Sequence, residues 1–261
     1  MRQEDRLGII LERLNARGTV GVADLAAQLD VSVASVRRDL QLLEDQRLLS
    51  RTHGGAVSNG VLYELPMRYR GGRRQTEKRL IAQAAAQLVT EGVVSVALSG
   101  GTTTTEVARV LSTRTGLKVV TNAINIAAEL APRPTVSLVV CGGTARAESH
   151  ELVGPIAEQT LARLNVDVAF VGVDGITADG GLTTHHEVEA ATNRAMIGIA
   201  GRVVVVADGT KVGHRAFAQI AEVREVHDLI TDASADADEC ERLREAGVRV
   251  VTVDATGAVT G

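Results

Sequence analysis

Two neighbouring arginines near the amino terminus have the chemistry to recognise DNA. Arg37 and Arg38 lie within the segment Val31–Ala56, and Ser35 precedes them by two residues. A guanidinium group can donate two parallel hydrogen bonds to O6 and N7 of guanine, and it can also neutralise a backbone phosphate. On a short helix, such a pair is typical of a protein that reads the major groove of double-stranded DNA.

A run of glycines and threonines further along the chain has the chemistry to bind an anion. The run Ser99-Gly100-Gly101-Thr102-Thr103-Thr104-Thr105 follows an apolar stretch. Glycines let a ligand approach the backbone, threonine hydroxyls donate hydrogen bonds, and the amino-terminal end of a helix attracts negative charge. The run is neither a Walker A loop nor a GxGxxG fingerprint. We predict that it binds a phosphate; the alternative is a strand-to-helix turn capped by threonine.

A helix-turn-helix is predicted around the paired arginines. Leucine and isoleucine recur at helical spacing in the first helix, and Gly18 provides a stop. A second short helix is predicted at Asp24–Leu29, followed by a tight turn at Asp30-Val31. Ser32 can then cap a third helix through its hydroxyl. The apolar stripe of the first helix consists of Leu7, Ile10, Leu11 and Leu14.

The third helix has one apolar and one polar face. Its predicted buried stripe consists of Val33, Val36, Leu40 and Leu43. At about 100° per residue, the polar side chains lie opposite this stripe. We predict that Arg38 and Ser35 contact base edges and that Arg37 contacts a phosphate; the alternative is a three-helix core with solvated arginines. The predicted DNA-contacting residues here are Ser32, Ala34, Ser35, Arg37, Arg38 and Gln41.

The segment Leu48–Ala56 is predicted to form a hairpin, which we call the wing. Gly54-Gly55 can make its turn, and Arg51 and His53 are the polar side chains at its tip. Both side chains are therefore added to the predicted DNA contacts.

The charge is distributed unevenly along the chain. Residues 1–75 contain 12 arginines and 9 acidic residues, a net charge of +3, whereas the remainder has a net charge of −7. Such a small excess of positive charge gives only weak binding to DNA phosphates. Two DNA-binding domains on one DNA would double the contacts, so we expect a dimer or a tetramer.

The composition predicts a DNA-binding domain at 1–57, a linker at 58–75 and an α/β domain at 76–261. The linker has little hydrophobic periodicity and contains Pro66 and Gly71-Gly72. Its arginines are predicted to be solvated, with DNA contact as the alternative. They are Arg68, Arg70, Arg73 and Arg74.

From Glu77 onward, apolar stretches alternate with amphipathic ones. Strands that are apolar on both faces and alternate with helices are typical of a parallel sheet covered on both sides. The predicted strands are Val93–Leu98, Leu117–Thr121, Val136–Cys141, Val166–Val173, Val203–Ala207, Leu229–Thr231 and Val248–Val253. The predicted helices are Glu77–Val89, Glu106–Leu111, Ala123–Ala131, Pro155–Leu164, Glu187–Ala200 and Ala235–Glu245.

Polar residues follow several of these strands, where parallel sheets bind ligands. Asn122 either contacts a ligand or caps a helix, and Asp174 either accepts from hydroxyl groups or holds a turn. Glu187 or Glu189 faces the ligand, unless both only match the helix dipole. Lys211 alone of the three lysines follows a strand end, where it can neutralise an anion. The predicted ligand-binding residues are Ser99, Gly100, Gly101, Thr102, Thr103, Thr104, Asn122, Gly142, Gly143, Asp174, Glu187 and Lys211.

The composition argues against several other functions. Aromatic residues make up only 2% of the chain, so it has almost nothing on which single-stranded nucleic acid could stack. Cys141 and Cys240 lie far apart, so we predict buried or incidental thiols in a reducing cytoplasm and no zinc site. We predict no metal, no cofactor, no signal peptide and no membrane span, and therefore a cytoplasmic protein.

The sequence resembles that of a known family along nearly its whole length. The winged helix-turn-helix of the DeoR family of bacterial transcriptional regulators is similar at Ser32-Val33, Ser35-Val36-Arg37-Arg38-Asp39-Leu40, Leu43-Glu44, Leu49, Arg51 and His53-Gly54-Gly55-Ala56. The sensor domain of that family is similar at Glu77-Lys78, Ile81-Ala82, Gly101-Thr102-Thr103, Thr121-Asn122, Gly142-Gly143, Gly154-Pro155, Gly180-Gly181-Leu182-Thr183, Ala207-Asp208 and Lys211.

The resemblance implies both a fold and a function. The implied fold is a winged helix-turn-helix followed by an α/β domain with a mostly parallel sheet, similar to ribose-5-phosphate isomerase and the CoA transferases. The implied function is repression of carbohydrate metabolism genes, with double-stranded operator DNA and a phosphorylated sugar effector as partners. One departure is that Ser99-Gly100 replaces the Asp-Ser that usually precedes Gly-Thr-Thr, so a carboxylate is missing.

The alternative function is a sugar-phosphate isomerase fused to a DNA-binding domain. Proton abstraction next to a carbonyl needs a positioned carboxylate, for which Asp174, Glu187 and Glu189 are the candidates. The usual Asp is absent at position 99, so we predict a regulator and no catalytic residues. The same substitution leaves open a regulator whose sensor no longer binds a ligand.

Overall fold

The computed structural model describes residues 2–58, 66–70 and 74–261. The chain divides into two compact units, of which the first ends at residue 73 and the second begins at residue 74. Each unit has its own hydrophobic core. Within the described ranges, we find no helix with the length and apolar character needed to cross a membrane.

The first unit is a winged helix-turn-helix. Its elements are α1 (Gln3–Arg17), β1 (Thr19–Gly21), α2 (Val22–Leu29), α3 (Val33–Asp45), β2 (Ser50–Thr52), β3 (Gly55–Val57) and α4 (Met67–Arg70). The predicted apolar stripe of α1 is buried in the core that α1, α2 and α3 share. Gly18 ends α1 in the left-handed conformation, and Ser32 caps α3, as predicted.

The buried stripe of α3 differs from the predicted one. Val33 is 42% exposed, so the prediction that it is buried was wrong. Val33 is the first residue of the helix, with no earlier turn on that face, and the buried stripe begins one turn later at Val36. Asp39 belongs to this stripe and is completely buried, although it is charged.

The wing contains one strand more than predicted. Strand β3 pairs with both β2 and β1, so the hairpin is joined to the segment that follows α1. The hairpin turns at His53-Gly54, one residue earlier than predicted, and Gly55 is the first residue of β3. A Cβ atom on Gly55 would lie 2.9 Å from the carbonyl carbon of Val20. Glycine is therefore needed here for the close approach of two strands.

Part of the predicted linker packs on the first unit. Met67 and Tyr69 in α4 are buried, and the Tyr69 hydroxyl donates a hydrogen bond to Gln46 near the end of α3. Residues 59–65 and 71–73 of the predicted linker, which include Arg73, lie outside the described residues.

Arg74 is anchored to the second unit. Its guanidinium group donates hydrogen bonds to Asp232 Oδ1 at 2.7 Å and to Ser234 Oγ at 2.6 Å. Burial alone would raise the pKa of Asp232, but hydrogen bonds from Ser234 and Gly209 and the charge of Arg74 hold this pKa below its ordinary value. Arg74 is therefore ion-paired, whereas the sequence analysis favoured a solvated side chain.

The second unit is built around a parallel sheet. Its helices are α5 (Gln75–Ala86), α6 (Thr102–Leu111), α7 (Ile124–Leu130), α8 (Pro155–Leu161), α9 (Glu187–Gly198) and α10 (Ala237–Glu245). Its strands are β4 (Ser95–Leu98), β5 (Leu117–Thr121), β6 (Val136–Val140), β7 (Thr144–Ala145), β8 (Leu152–Val153), β9 (Val166–Val171), β10 (Gly175–Thr177), β11 (Gly181–Thr184), β12 (Ala200–Val206), β13 (Ala218–Ala221), β14 (Asp228–Asp232), β15 (Arg249–Val253) and β16 (Val259–Thr260).

The main sheet confirms the predicted fold class. Its strand order is β16-β15-β14-β12-β9-β4-β5-β6, and only β16 is antiparallel to its neighbour. Successive residues of the central strands enter two different cores. Val204 and Val206 pack on the side of α5, α6 and α7, whereas Val203 and Val205 pack on the side of α8, α9 and α10. Burial on both faces explains the uninterrupted apolar sequences.

Smaller strands complete the second unit. Strands β10, β11 and β13 form an antiparallel sheet, and β7 pairs with β8. All seven predicted strands occur in the main sheet, with bounds that differ by a few residues, whereas these short strands and β16 were not predicted. Strands of two to four residues are too short to show an alternating pattern.

Candidate functional site

The exposed face of α3 holds the residues predicted to contact DNA. Ala34, Arg37, Arg38 and Gln41 are all exposed there. The Ser32 Oγ accepts a hydrogen bond from the Ser35 backbone N–H at 3.1 Å, and the two hydroxyl groups are 2.9 Å apart. The capping hydrogen bond fixes the first turn, from which a recognition helix contacts bases.

Hydrogen bonds from the backbone and the side chain of Arg51 attach the wing to α3. The Arg51 backbone N–H donates to Glu44 Oε1 at 2.8 Å, and the Arg51 guanidinium donates to the Gln41 side-chain oxygen. Gln41 in turn donates to Asp45 Oδ1 at 2.9 Å. Gln41 and Arg51, which were predicted separately, therefore form one polar group, while His53 is exposed at the turn of the hairpin.

A buried ion pair joins α3 to α1 directly after the paired arginines. Arg6 donates two hydrogen bonds to Asp39, at 2.5 Å from Nε and 3.0 Å from the terminal nitrogen, and Gln3 donates a third at 3.1 Å. The hydrogen bonds to Asp39 raise the pKa of Arg6 above its ordinary value. The sequence analysis missed this pair. The only sign of the pair in the sequence is Asp39, a charged residue at a position where helical spacing predicts an apolar one.

In the second unit, the predicted ligand loops lie along one edge of the main sheet. Strands β5, β4, β9 and β12 are neighbours and parallel, so their carboxyl ends are adjacent. The loop after β4 carries the glycine and threonine run, and Asn122, Asp174 and Lys211 follow the three other strands. The order of the strands reverses between β4 and β9, which is where open α/β sheets bind ligands.

The loop after β4 uses some of its hydroxyl groups internally. Ser99 Oγ donates to the Gly100 carbonyl at 3.1 Å and accepts from the Gly172 N–H at 2.9 Å, so it joins the ends of β4 and β9. Thr104 and Thr105 donate to the Gly101 carbonyl at 2.9 and 2.7 Å. With a φ of 126°, Gly101 adopts a conformation that favours glycine.

The two hydroxyl groups at the start of α6 remain available. Neither Thr102 nor Thr103 uses its hydroxyl in a hydrogen bond with another described residue, although Thr104 and Thr105 do. Both lie in the first turn of a ten-residue helix, where backbone N–H groups have no partner in the helix itself. The loop therefore presents hydroxyl and N–H donors together, as anion-binding loops do.

A chain of charged and polar side chains lies beside this loop. Lys211 Nζ is 3.3 Å from Asp174 Oδ1, and the Thr184 hydroxyl is 3.0 Å from the other Asp174 oxygen. The same hydroxyl is 3.2 Å from Glu189 Oε2, and Glu189 Oε1 forms a 3.1 Å ion pair with Arg146. Asp174 and Lys211 are thus brought together, whereas Arg146 and Thr184 are additions that sequence analysis missed.

Glu189, rather than Glu187, belongs to this network. The Glu187 side chain is 70% exposed and lies 3.7 Å from His186 Nδ1, whereas Glu189 is buried. Side chains two positions apart on a helix point in directions that differ by about 200°, so only one of these two glutamates can face the network. The sequence analysis allowed either glutamate but placed only Glu187 among the predicted ligand-binding residues, whereas the residue in the network is Glu189.

Asn122 is buried with half of its side chain unused. Its Nδ2 donates to the Leu152 carbonyl at 3.3 Å, but within the described ranges its Oδ1 has no hydrogen-bond partner. The alternative role, capping α7, is not observed, because Ala123 is the N-cap and no side chain caps that helix. Since buried polar atoms nearly always have a partner, this oxygen is available to accept a hydrogen bond from a bound molecule.

The residues after β6 contribute backbone shape. A Cβ atom on Gly143 would lie 2.7 Å from the Val153 carbonyl oxygen, so glycine permits the close pairing of β7 with β8. Gly142 is exposed next to Ile156. Burial raises the pKa of Cys141 to about 11, so this thiol stays protonated near neutral pH.

Comparison with known proteins assigns a family domain to each unit. Residues 6–60 match the DeoR-like helix-turn-helix domain, and residues 73–233 match the DeoR C terminal sensor domain. The HTH-type transcriptional regulator GlpR of Haloferax volcanii is 38% identical over 252 residues, which cover 96% of this chain and 98% of that protein.

Two further relatives are named as repressors. The HTH-type transcriptional repressor GlcR of Bacillus subtilis is 34% identical, over 97% of this chain and 98% of that protein. The glycerol-3-phosphate regulon repressor of Escherichia coli is 30% identical, over 89% of this chain and 92% of that protein.

Solved structures show a more distant likeness. Ribose 5-phosphate isomerase A from Methanocaldococcus jannaschii is 20% identical with a TM-score of 0.37, over 51% of this chain and 52% of that one. RipA from Yersinia pestis is 13% identical with a TM-score of 0.41, over 65% and 52% of the two chains. The chain thus spans about half the length of these proteins, and neither likeness bears on function.

Proposed function

Because this chain belongs to the DeoR family of transcriptional regulators, we propose that it represses carbohydrate metabolism genes and leaves its operator when a phosphorylated sugar binds. The observation that carries the effector proposal is the loop at the start of α6, where two unused threonine hydroxyls lie in the same first turn as the unpaired helix N–H groups. The relative that is named for the glycerol-3-phosphate regulon supports a phosphorylated effector.

The DNA is proposed to contact the exposed face of α3 and the wing. Arg38 and Ser35 read base edges, Arg37 binds a phosphate, and the joined pair of Gln41 and Arg51 lies beside them. Ser32, Ala34 and His53 complete the contact surface. Because the first 75 residues are only mildly basic, two copies of the chain bind together on a double-stranded operator.

In the second unit, the phosphate of the effector is proposed to bind the N–H groups and hydroxyls at Gly101, Thr102 and Thr103. Ser99 and Thr104 hold the loop through the hydrogen bonds described above, and Gly100 leaves the space that the Glu151 carboxylate occupies. Asn122 Oδ1 meets a hydroxyl or amide donor of the effector. Asp174 and Lys211 hold hydroxyl or anionic groups, while Gly142 and Gly143 shape the rim.

Release of DNA then follows from linkage. The effector shifts the protein from its operator only if it binds the DNA-incompetent arrangement more tightly than the DNA-bound one. The isomerase alternative lacks support for two reasons. The relatives of this chain are named as regulators. In addition, Asp174 is paired with Lys211 and Glu189 is paired with Arg146. We propose that the protein acts in the cytoplasm without a cofactor.

The proposed function is tested by DNA binding in the presence of sugar phosphates. An operator is selected from random DNA, and its affinity for the protein is measured with a panel of phosphorylated sugars and their unphosphorylated parents. We expect at least one phosphorylated compound to release the DNA and its parent to have no effect. Thr103→Val should weaken the binding of that compound by about 1–3 kcal/mol, because a phosphate oxygen loses its hydrogen-bond partner.

A matched control is Thr113→Val, two residues after the end of α6. The Thr113 hydroxyl donates to the Val110 carbonyl and is exposed, so this variant should respond like the wild type. If no phosphorylated sugar released the DNA, or if the phosphate in a ligand-bound crystal lay far from Gly101–Thr103, the proposed effector site would be rejected.

Arg38→Ala is expected to reduce both affinity and specificity for the operator. Loss of a bidentate base contact costs about 1–3 kcal/mol and relaxes the preference at one position of each half-site. Arg37→Ala should instead weaken operator and random DNA alike and flatten the salt dependence. Fluorescence anisotropy with both DNAs at several salt concentrations measures this. Equal losses on the two DNAs for Arg38→Ala would contradict the assignment.

A further inference from the structure

The carboxylate of Glu151 lies where Gly100 has no side chain. A Cβ atom on Gly100 would lie 2.6 Å from the carboxyl carbon of Glu151, a distance at which one of the two must move. Glu151 is only 4% exposed, so its carboxylate lies inside the loop region at the carboxyl edge of the sheet. A glycine at position 100 is therefore what allows this carboxylate to reach the loop before α6.

The backbone holds Glu151 in this position from several sides. Glu151 forms an antiparallel bridge with Ala123 after β5, and its carbonyl accepts a hydrogen bond from the Arg146 N–H at 2.8 Å. The next residue, Leu152, donates to the Asn122 carbonyl at 2.7 Å. Glu151 is thus fixed beside two parts of the proposed effector site, Asn122 and the loop at Gly100.

Other buried polar atoms near Glu151 indicate that a ligand binds here. Asn122 Oδ1 and Ser149 Oγ are both buried and, in the part of the chain that the structure describes, have no hydrogen-bond partner. Asn122 is linked to Leu152, which follows Glu151, and Ser149 precedes Glu151 by two residues. An acceptor such as Asn122 Oδ1 needs a donor, and a sugar hydroxyl supplies one.

We propose that Glu151 determines which effectors the site accepts, an inference that rests on the proposed function. Its carboxylate accepts hydrogen bonds from effector hydroxyls next to the bound phosphate, and it repels a second anionic group there. The effector class is therefore a monophosphate of a neutral polyhydroxy compound. Sugar bisphosphates and phosphorylated sugar acids are excluded. In this way a residue from a different loop supplies a carboxylate beside Ser99-Gly100.

The test compares the binding of four kinds of probe to the full-length protein and to Glu151→Gln. The probes are inorganic phosphate, a panel of neutral sugar and polyol monophosphates, the matching bisphosphates and the matching aldonic acid phosphates. For the wild type, calorimetry should show at least tenfold tighter binding of the best monophosphate than of its charged counterparts. Glu151→Gln should reduce this preference at least fivefold while leaving inorganic phosphate within about twofold.

Two further variants separate this role from a structural one. Glu148→Gln is the control, because it removes a nearby but exposed carboxylate and should keep the wild-type preference. Gly100→Ala should displace Glu151 and lower the preference as Glu151→Gln does. The double variant Gly100→Ala/Glu151→Gln should lose no more of the preference than the worse of the two single variants, since both changes act on one interaction.

The outcomes distinguish this inference from the proposed function. If no monophosphate bound the wild type, both would be rejected. If monophosphates bound but the wild type accepted bisphosphates equally well, or Glu151→Gln kept the wild-type preference, only the role of Glu151 would be rejected. If Glu151→Gln weakened the binding of every probe by the same factor, Glu151 would only support the fold of the loop. That result would also overturn the proposal.

Discussion

Asp39→Ala is expected to destabilise the first unit by about 3–5 kcal/mol, enough to abolish operator binding. Asp39 is completely buried and accepts hydrogen bonds from Arg6 and Gln3. Its removal leaves the Arg6 guanidinium, which is mostly buried, without its anion. Because the pair joins α1 to α3 beside Arg37 and Arg38, the recognition helix would lose its position together with the fold.

Chemical denaturation of the full chain, combined with operator titration, measures this effect. Asp45→Ala is the control, since Asp45 lies exposed at the end of the same helix and should change stability by less than about 0.5 kcal/mol. The double variant Arg6→Leu/Asp39→Leu should recover much of the loss, because no unpaired charge remains. Wild-type stability for Asp39→Ala would show that the ion pair does not hold the helices together.

Lys211→Ala is expected to produce a repressor that binds its operator but no longer responds to the effector. Lys211 Nζ lies 3.3 Å from Asp174 Oδ1, and the side chain is 29% exposed. Its removal takes away a charged contact to the effector and leaves Asp174 to repel an anion. The combined loss should be about 2–4 kcal/mol in effector affinity. Operator binding without effector should stay within about 0.5 kcal/mol of the wild type, because Lys211 belongs to the second unit.

Operator titrations with and without the effector, for the wild type and the variant, measure both quantities. Lys118→Ala is a suitable control, because Lys118 is exposed on β5 and has no proposed role. If Lys211→Ala lost operator binding without unfolding, Lys211 would have to belong to the DNA-binding machinery or to an interface, and its assignment to the effector site would be withdrawn.

The sequence by itself determined the order of the elements and which loops are predicted to bind a ligand. Apolar β-branched runs such as Val203–Ala207 predict strands that are buried on both faces, and the two separate cores confirm this. The α3 helix, its Ser32 cap and the wing were predictable because local spacing, capping and turn residues encode them. Once the strands were predicted to be parallel, chemistry at their carboxyl ends followed from topology alone.

Only the tertiary structure decided which side chains meet. The Arg6–Asp39 pair joins residues 33 apart, and Ser99 reaches Gly172 across 73 positions. Local patterns do not encode such contacts, because the fold of the whole unit sets the distance between distant segments. The same limit applies to Glu151 beside Gly100. A glycine in a loop predicts that another group approaches the backbone closely, but it does not predict which group. At Gly100 that group is Glu151, the proposed selectivity residue, which comes from another part of the chain.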